Sequence, residues 1–376
     1  MDGALERELP TGVTSRFVDD VNGLRMHVLA AGPQDPDAPT LLLLHGFPEL
    51  AFSWRQVMPG LAAAGFRVIA PDQRGYGRTT GWDPDFDADI SPYRPLGLVE
   101  DVVELMSRLG VASVAAVIGH DFGSPIAAWC ALSRPDLFRS VVLMSAPFGG
   151  PPSSPVRRRV EGLSRADVLA ALPRPRKHYL DHYRTREAGP DLWGAPQGVH
   201  DFLRAYFHHK SADWPGNQPR PLASAAAEEL AVMPTYYVMD RGLGMAETVA
   251  AEMPSADVIA ANRWLPERDL EVFAQEYRRT GFQGGLNWYR AADLGWDEMA
   301  AFAGTTIDQP SLFIGGVHDW GVHQTAGLLD RMRARACTDL QGVQLVDGAG
   351  HWVQQEQPEA TTELLLDFLG RNGLGR

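Results

Sequence analysis

The chain has 376 residues, 45% hydrophobic and 22% charged, the balance of a water-soluble globular protein with room for one large α/β domain or a domain with a sizeable insertion. Its 34 Lys and Arg against 47 Asp and Glu give a formal net charge of −13, which leaves no electrostatic footprint for nucleic acid or an anionic membrane. Cys130 and Cys337 are the only cysteines, too few for a disulfide framework or a cysteine zinc site, and no apolar run reaches the length of a membrane span.

The first residues, Met1 to Glu8, lack the basic-then-apolar pattern of a signal peptide, so the expected compartment is the cytoplasm. Short apolar runs rich in Val, Leu and Ile then predict buried parallel strands at Arg25–Ala31, Thr40–His45, Arg67–Pro71, Ala112–Ile118 and Ser140–Ser145. Helical stretches fall between them, as at Leu98–Leu109 and Pro125–Ser133. From residue 148 the text changes. Pro147-Phe148-Gly149-Gly150-Pro151-Pro152 opens a stretch of aromatic and charged segments at helical spacing, with no convincing buried strand before about residue 305. The basic pieces Arg157-Arg158-Arg159 and Arg174-Pro175-Arg176-Lys177 lie here and read as solvated surface. Strands return at Ser311–Gly315 and Val343–Val346, with helices at about Gln324–Ala336 and Pro358–Gly370. Residues 311–376 alone are too few to bury a stable α/β core. The expected organisation is therefore one core domain, residues 1–147 and 306–376, with residues 148–305 a helical cap inserted after the sixth strand.

Chemistry concentrates in the loops that follow the predicted strands. Gly119-His120-Asp121-Phe122-Gly123 follows an apolar run and precedes a helix, the strand–turn–helix context of a nucleophile elbow with Asp at its centre. Small flanking residues suit so tight a turn, and the helix N-terminus stabilises an anion there. A carboxylate in that position is a competent nucleophile towards an alkyl carbon bearing a strained or good leaving group. On the pentapeptide alone, an ordinary turn with Asp as a helix cap explains the pattern equally well. His45-Gly46-Phe47-Pro48-Glu49 follows the strand at Leu41–Leu44 and can set the Phe47 N–H beside that of Phe122 as an oxyanion hole. An ester on Asp121 needs a base for its hydrolysis. His351, in Gly348-Ala349-Gly350-His351-Trp352 after the last strand, is badly placed for a core residue and suits that role. Asp319, in Gly315-Gly316-Val317-His318-Asp319-Trp320, is the acid to orient it, since Met144-Ser145-Ala146 offers none after the preceding strand. The order Asp121, Asp319, His351 is nucleophile, acid, base. The pairs His178/His182 and His208/His209 lack a matching carboxylate or third ligand at a telling spacing, so no metal and no cofactor is expected.

In combination, His45-Gly-Phe-Pro-Glu49 with Ser53-Trp54-Arg55, Pro71-Asp72-Gln73-Arg74-Gly75-Tyr76-Gly77, Gly119-His-Asp-Phe-Gly123 and Gly350-His351 resemble the α/β-hydrolase family, in its epoxide-hydrolase and haloalkane-dehalogenase branch, over nearly the whole chain apart from the middle of the insertion. The resemblance implies a mostly parallel sheet flanked by helices. Within the insertion, Thr280-Gly281-Phe282-Gln283-Gly284-Gly285-Leu286-Asn287-Trp288-Tyr289-Arg290 resembles the segment of soluble epoxide hydrolases that supplies a cap tyrosine, which implies that Tyr289 protonates the epoxide oxygen. Departures from the branch are informative. Haloalkane dehalogenases hold halide with a Trp after the nucleophile and an Asn or second Trp, where this chain has Phe122 and Phe47; fluoroacetate dehalogenases carry an Arg after the nucleophile, and this chain does not. Epoxide hydrolases supply a second cap tyrosine, where the aligned segment here has Leu203, leaving Tyr206, Tyr236 and Tyr237 as candidates. Lys210, one of two lysines in a chain that otherwise uses Arg, sits in the unusual run that follows.

The resemblance thus implies hydrolysis of an epoxide to a vicinal diol through an aspartyl ester, on a small and largely apolar substrate, without nucleic acid or membrane span and with a homodimer allowed. A dehalogenase sharing the ester would differ by releasing halide. A ligand-binding receptor on the same fold would bind without forming an adduct.

Overall fold

The computed structural model describes residues 3–35, 37–153 and 163–375; the run Arg157-Arg158-Arg159 lies outside them. Among the described residues there are ten strands: β1 Val13–Val21, β2 Leu24–Ala31, β3 Thr40–Leu44, β4 Arg67–Pro71, β5 Val114–His120, β6 Val141–Met144, β7 Arg176–His178, β8 Val238–Asp240, β9 Ser311–Gly316 and β10 Leu340–Val346. Eight of them form one sheet in the order β1-β2-β4-β3-β5-β6-β9-β10. The β1–β2 and β2–β4 pairings are antiparallel and the rest are parallel. The central strands β3, β5 and β6 are buried along their whole length, as strands covered on both faces by helices must be.

Register fixes where the loops emerge. Leu44 pairs with Gly119, His120 with Met144, Met144 with Ile314 and Gly316 with Val346. The segments after β3, β5, β9 and β10 therefore leave the sheet along one edge, at the carboxyl ends of the strands. Chain order reverses there between β3 and its neighbours β4 and β5, which opens a crevice.

Several elements depart from the sequence expectation. β1 was not anticipated because it is an outer strand whose side chains alternate weakly between core and solvent, with Arg16, Asp19 and Asp20 among them. β5 ends two residues later than expected, so Gly119 and His120 belong to the strand and the turn falls on Asp121. The segment expected to hold no strand contains the β7–β8 pair, three residues each, with Arg176 opposite Asp240. The helix expected from Gln324 begins only at Leu328, after Gly327 in a left-handed conformation (φ 67°), and widens into a π turn at Met332–Ala336.

Among the described residues between β6 and β9 the longest helices are Gly198–Lys210, Glu267–Thr280 and Gln283–Ala291. Phe273 and Phe207 pack ring against ring, and Phe273 reaches Phe52 of the segment after β3. Arg55 ties the two parts together from a buried position, donating to Asp269 at 2.8 Å and to Gln355 at 2.8 Å. A planar guanidinium suits such a buried junction because it meets several fixed acceptors at once.

Candidate active site

The turn after β5 is built by exclusion. A Cβ on Gly119 would lie 2.1 Å from the Gly123 carbonyl oxygen, and one on Gly123 would lie 2.3 Å from that of Leu44. Helix Gly123–Ser133 can therefore start directly against the strand ends. Asp121, between them, has a positive φ of 51°, a conformation that costs a non-glycine residue on the order of 1–3 kcal/mol and that concentrates at functional sites. This strained turn lifts the carboxylate out of the sheet towards the loop after β3. Gly46 meets it there, with room for no side chain: a Cβ would stand 2.3 Å from the Asp121 Cβ.

Asp121, Asp319 and His351 come together. The Phe47 N–H donates to Asp121 Oδ1 at 2.9 Å, and His351 Nε2 lies 3.2 Å from Asp121 Oδ2. On the other side of the imidazole, Nδ1 lies 3.0 Å from Asp319 Oδ1, which also accepts from the Gly321 N–H at 2.7 Å. A carboxylate on Nδ1 fixes the ring so that Nε2 faces Asp121. Burial pushes the Asp121 carboxyl pKa up, but hydrogen bonding and charge from His351, with the charges of Lys210 and His120, outweigh it and hold the group well below the usual carboxylate range. Asp319 is likewise held low, burial being outweighed chiefly by His351.

The loop that carries His351 is supported from below. His120 Nε2 meets the His351 carbonyl at 2.7 Å while its Nδ1 meets Glu49 Oε2 at 2.6 Å, and Ser145 Oγ donates to the same carbonyl at 3.1 Å. Glu49 in turn accepts from the Gly46 N–H and from Gln354 and Gln355. Glu356 accepts from three backbone N–H groups, those of Ala212, Gly350 and Trp352, and burial pushes its pKa up to about 8.

Tyr289 descends onto this group from helix Gln283–Ala291. Its ring stands edge-on to Phe47 at 5.5 Å and to Phe122 at 5.1 Å, the two residues that flank the carboxylate. Burial and the Asp121 charge push its pKa well above the ordinary phenol value. The helix is pinned to the core by Trp288 Nε1, which donates to the Arg74 carbonyl at 2.8 Å, and by backbone contact: a Cβ on Gly284 would lie 2.0 Å from the Gly75 oxygen.

Of the three tyrosines named for the second position, Tyr236 is committed elsewhere, donating to Asn217 Oδ1 at 2.6 Å. Tyr206 accepts from Tyr183 at 3.3 Å, and the Tyr237 hydroxyl is buried with no partner among the described residues. The rings nearest Tyr289 on the insertion side are two that the sequence reading did not single out, Tyr183 at 5.1 Å and Tyr179 at 6.1 Å. They sit four apart on the short helix Tyr179–Tyr183, and that i, i+4 spacing was the available signal. Among the described residues no three His, Cys, Asp or Glu side chains are grouped to hold a metal ion. His182 pairs with Asp191 at 2.8 Å, while His178 caps the Tyr179–Tyr183 helix with its pKa pushed down by burial to about 3.

Known proteins bear directly on this geometry. Residues 39–204 match the family model described as alpha/beta hydrolase fold. Epoxide hydrolase B of Mycobacterium tuberculosis is 35% identical over 360 residues, covering 93% of this chain and 96% of its own. The chain belongs to the epoxide hydrolase family. An epoxide hydrolase of Caballeronia sordidicola is 34% identical over 366 residues, covering 96% of this chain and 94% of its own. Among solved structures, an epoxide hydrolase from an endophytic Streptomyces superposes with a TM-score of 0.76 at 33% identity, covering 96% of this chain and 97% of the other. Potato epoxide hydrolase I superposes with a TM-score of 0.72 at 29% identity, covering 96% and 99%. Within this family the mostly parallel sheet flanked by helices is the α/β-hydrolase fold, and among the described residues no helix is long and apolar enough to cross a membrane.

Proposed function

We propose that this epoxide hydrolase opens its substrate by a covalent route in which Asp121 is the nucleophile, His351 with Asp319 the base, and Tyr289 the acid. The observation that carries the reading is the position of the Asp121 carboxylate, held between the Phe47 N–H and His351 Nε2 with the Tyr289 ring edge-on above the flanking phenylalanines.

One carboxylate oxygen of Asp121 attacks a ring carbon, and the carbon–oxygen bond of the oxirane breaks as the ester bond forms. The released oxygen takes the phenol proton of Tyr289, which stays protonated until that moment because burial and Asp121 disfavour the phenolate. Tyr179, sharing the same aromatic wall, is the candidate second hydroxyl. His351 then takes a proton from water, whose oxygen adds to the ester carbonyl. The tetrahedral oxyanion is held by the N–H groups of Phe47 and Phe122, and one such donor typically lowers the barrier by about 3 kcal/mol. Collapse breaks the bond to the alkyl oxygen and releases the diol. The two protons of the consumed water end on that oxygen and on Tyr289, so the cycle closes without a cofactor. Phe47 and Phe122 offer no side-chain donor for a departing halide, which favours the oxirane over a haloalkane.

On this reading residues 148–305 act as a cap on a core formed by residues 1–147 and 306–376. It is supported by the eight-stranded sheet drawing its strands only from 13–144 and 311–346. The enzyme would work in the cytoplasm on a largely apolar small molecule, and sedimentation would report whether it is a homodimer.

The test is His351→Gln incubated with panels of epoxides and of haloalkanes, followed by intact mass. An adduct equal to the whole epoxide, absent when Asp121→Asn is added, is the expected result. An adduct only with haloalkanes, lighter by the lost hydrogen halide, would sink the reading.

A further inference from the structure

The last four carbonyls of a helix have no partner inside it, so their donors must come from elsewhere. In helix Gly198–Lys210 the His208 and His209 carbonyls are met locally, by Ser211 and by Asn217 Nδ2. The other two are met from the far end of the chain. The Phe207 carbonyl accepts from Trp352 Nε1 at 2.8 Å, and the Lys210 carbonyl accepts from the His351 N–H at 2.9 Å. Main chain lies against main chain there: a Cβ on Gly350 would stand 2.5 Å from the Ser211 carbonyl carbon and 2.6 Å from the Ala212 nitrogen.

Glu356 staples the two segments together. Its Oε2 accepts from the Ala212 N–H at 2.7 Å and from the Gly350 N–H at 3.0 Å, and its Oε1 accepts from the Trp352 N–H at 2.9 Å. Asn217, 1% exposed, holds the turn from within by donating to the His209 and Ser211 carbonyls at 2.9 and 2.7 Å. The same residue reaches the acid loop, since its own carbonyl accepts from Nδ1 of His318, the neighbour of Asp319, at 2.9 Å. His318 also donates its N–H to the Ala349 carbonyl at 2.9 Å. The loops bearing Asp319 and His351 are thus tied to residues 207–217 as well as to each other. The His351 backbone is gripped from both sides, its N–H by the insertion and its carbonyl by His120 and Ser145.

We propose that the turn after helix Gly198–Lys210 positions the base of the second half-reaction, with Glu356 and Asn217 as its positioning residues. Both act through the backbone of His351 and of the loops beside it. This inference rests on the mechanism above, in which His351 works only on the ester. It goes beyond that mechanism by giving residues 207–217 a part in hydrolysis. Ring opening draws on other supports. Asp121 takes its place from the strained turn after β5 and the Phe47 N–H, and Tyr289 takes its place from the Gly284–Gly75 contact. None of these three supports runs through Glu356 or Asn217. The two steps therefore separate: loosening the clamp leaves carboxylate and phenol in place while the imidazole drifts from the ester.

The experiment follows one turnover of an aryl epoxide by quenched flow and intact mass, which resolves ester formation from ester hydrolysis. Misplacing a reacting group by about 1 Å costs on the order of 10²-fold, so Glu356→Ala and Asn217→Ala should each slow hydrolysis by about ten- to a hundredfold, with formation within about threefold of wild type. Glu356→Gln, which keeps an acceptor oxygen, should recover part of the loss. A folding defect alone lowers the amount of ester formed and not the ratio of the two rates, so a smaller amplitude at an unchanged ratio would overturn the proposal. Equal slowing of both steps would do the same. Slow hydrolysis in Glu356→Ala with Asn217→Ala like wild type also overturns it, because the insertion then plays no part. Should Glu356→Ala not fold, Glu356→Gln and Asn217→Ala are read in the same way. If His351→Gln traps no ester with the same epoxide, the mechanism falls and the clamp with it. A trapped ester with no split between the two rates in the variants removes the clamp alone.

Discussion

Gly46→Ala puts the proposed machinery under a defined strain. The added Cβ would stand 2.3 Å from the Asp121 Cβ and 2.4 Å from its Oδ1, whereas carbon atoms in contact settle at about 3.5–4.0 Å. The loop after β3 and the turn after β5 must separate by at least about 1 Å, and the 2.9 Å bond from the Phe47 N–H to Asp121 then exceeds hydrogen-bond length. Losing one oxyanion donor costs roughly 10²- to 10³-fold in kcat, and a nucleophile displaced by about 1 Å costs on the order of 10² more in ring opening. Overpacking lowers stability by about 1–3 kcal/mol, so the protein should still fold. Stopped-flow tryptophan fluorescence separates the two steps, because Trp288 and Trp352 lie against Phe122 and His351. Gly242→Ala is the control, since its Cβ would meet nothing within 4 Å. If Gly46→Ala turned over within threefold of wild type while remaining folded, the placement of the Phe47 N–H on the reacting carboxylate would be wrong.

Other expectations follow from the same contacts. Tyr289→Phe should slow ester formation by about 10²- to 10⁴-fold, the range for a general acid, in single-turnover kinetics, while hydrolysis of a preformed ester is spared. Tyr179→Phe alone should cost less, and a double variant no slower than Tyr289→Phe would exclude Tyr179 as a second hydroxyl. Asp319→Asn keeps an acceptor for the Gly321 N–H but removes the charge beside His351, so ester should accumulate where wild type shows none by quenched-flow mass analysis. Glu356 has its pKa raised in the folded chain to about 8 against an ordinary value near 4.5. Its contribution to stability is therefore fully present below the unfolded value and is lost as pH rises through about 8. The urea midpoint of wild type relative to Glu356→Gln should fall between pH 5 and pH 9, and a constant difference would show that the three N–H donors keep the carboxylate ionised throughout.

The residues that meet at the sheet edge were legible in the sequence because each sits in a short loop, rich in small residues, directly after an apolar run. Asp121 follows β5, Asp319 follows β9 and His351 follows β10, and parallel strands bring such loops to one edge whatever lies between them. β1 was not legible, since an outer strand with charged residues and a solvent-facing side carries no apolar run. Nor were β7 and β8, whose three residues each are too short to show a period. Tyr179 was missed for a related reason: its helix is five residues long, and its place beside Tyr289 is set by tertiary packing.

The contact of Gly284 with Gly75 sets the height of Tyr289 above the sheet by main chain against main chain, with no side chain between them. On the proposed mechanism, the reach from phenol to carboxylate is therefore set by a backbone contact and not by side chains elsewhere in the insertion. If Tyr289 is the acid, substitutions on the other helices of the insertion should leave the path of the proton unchanged. A catalyst built in this way can change its clientele by altering one surface while its reacting distances stay fixed by another.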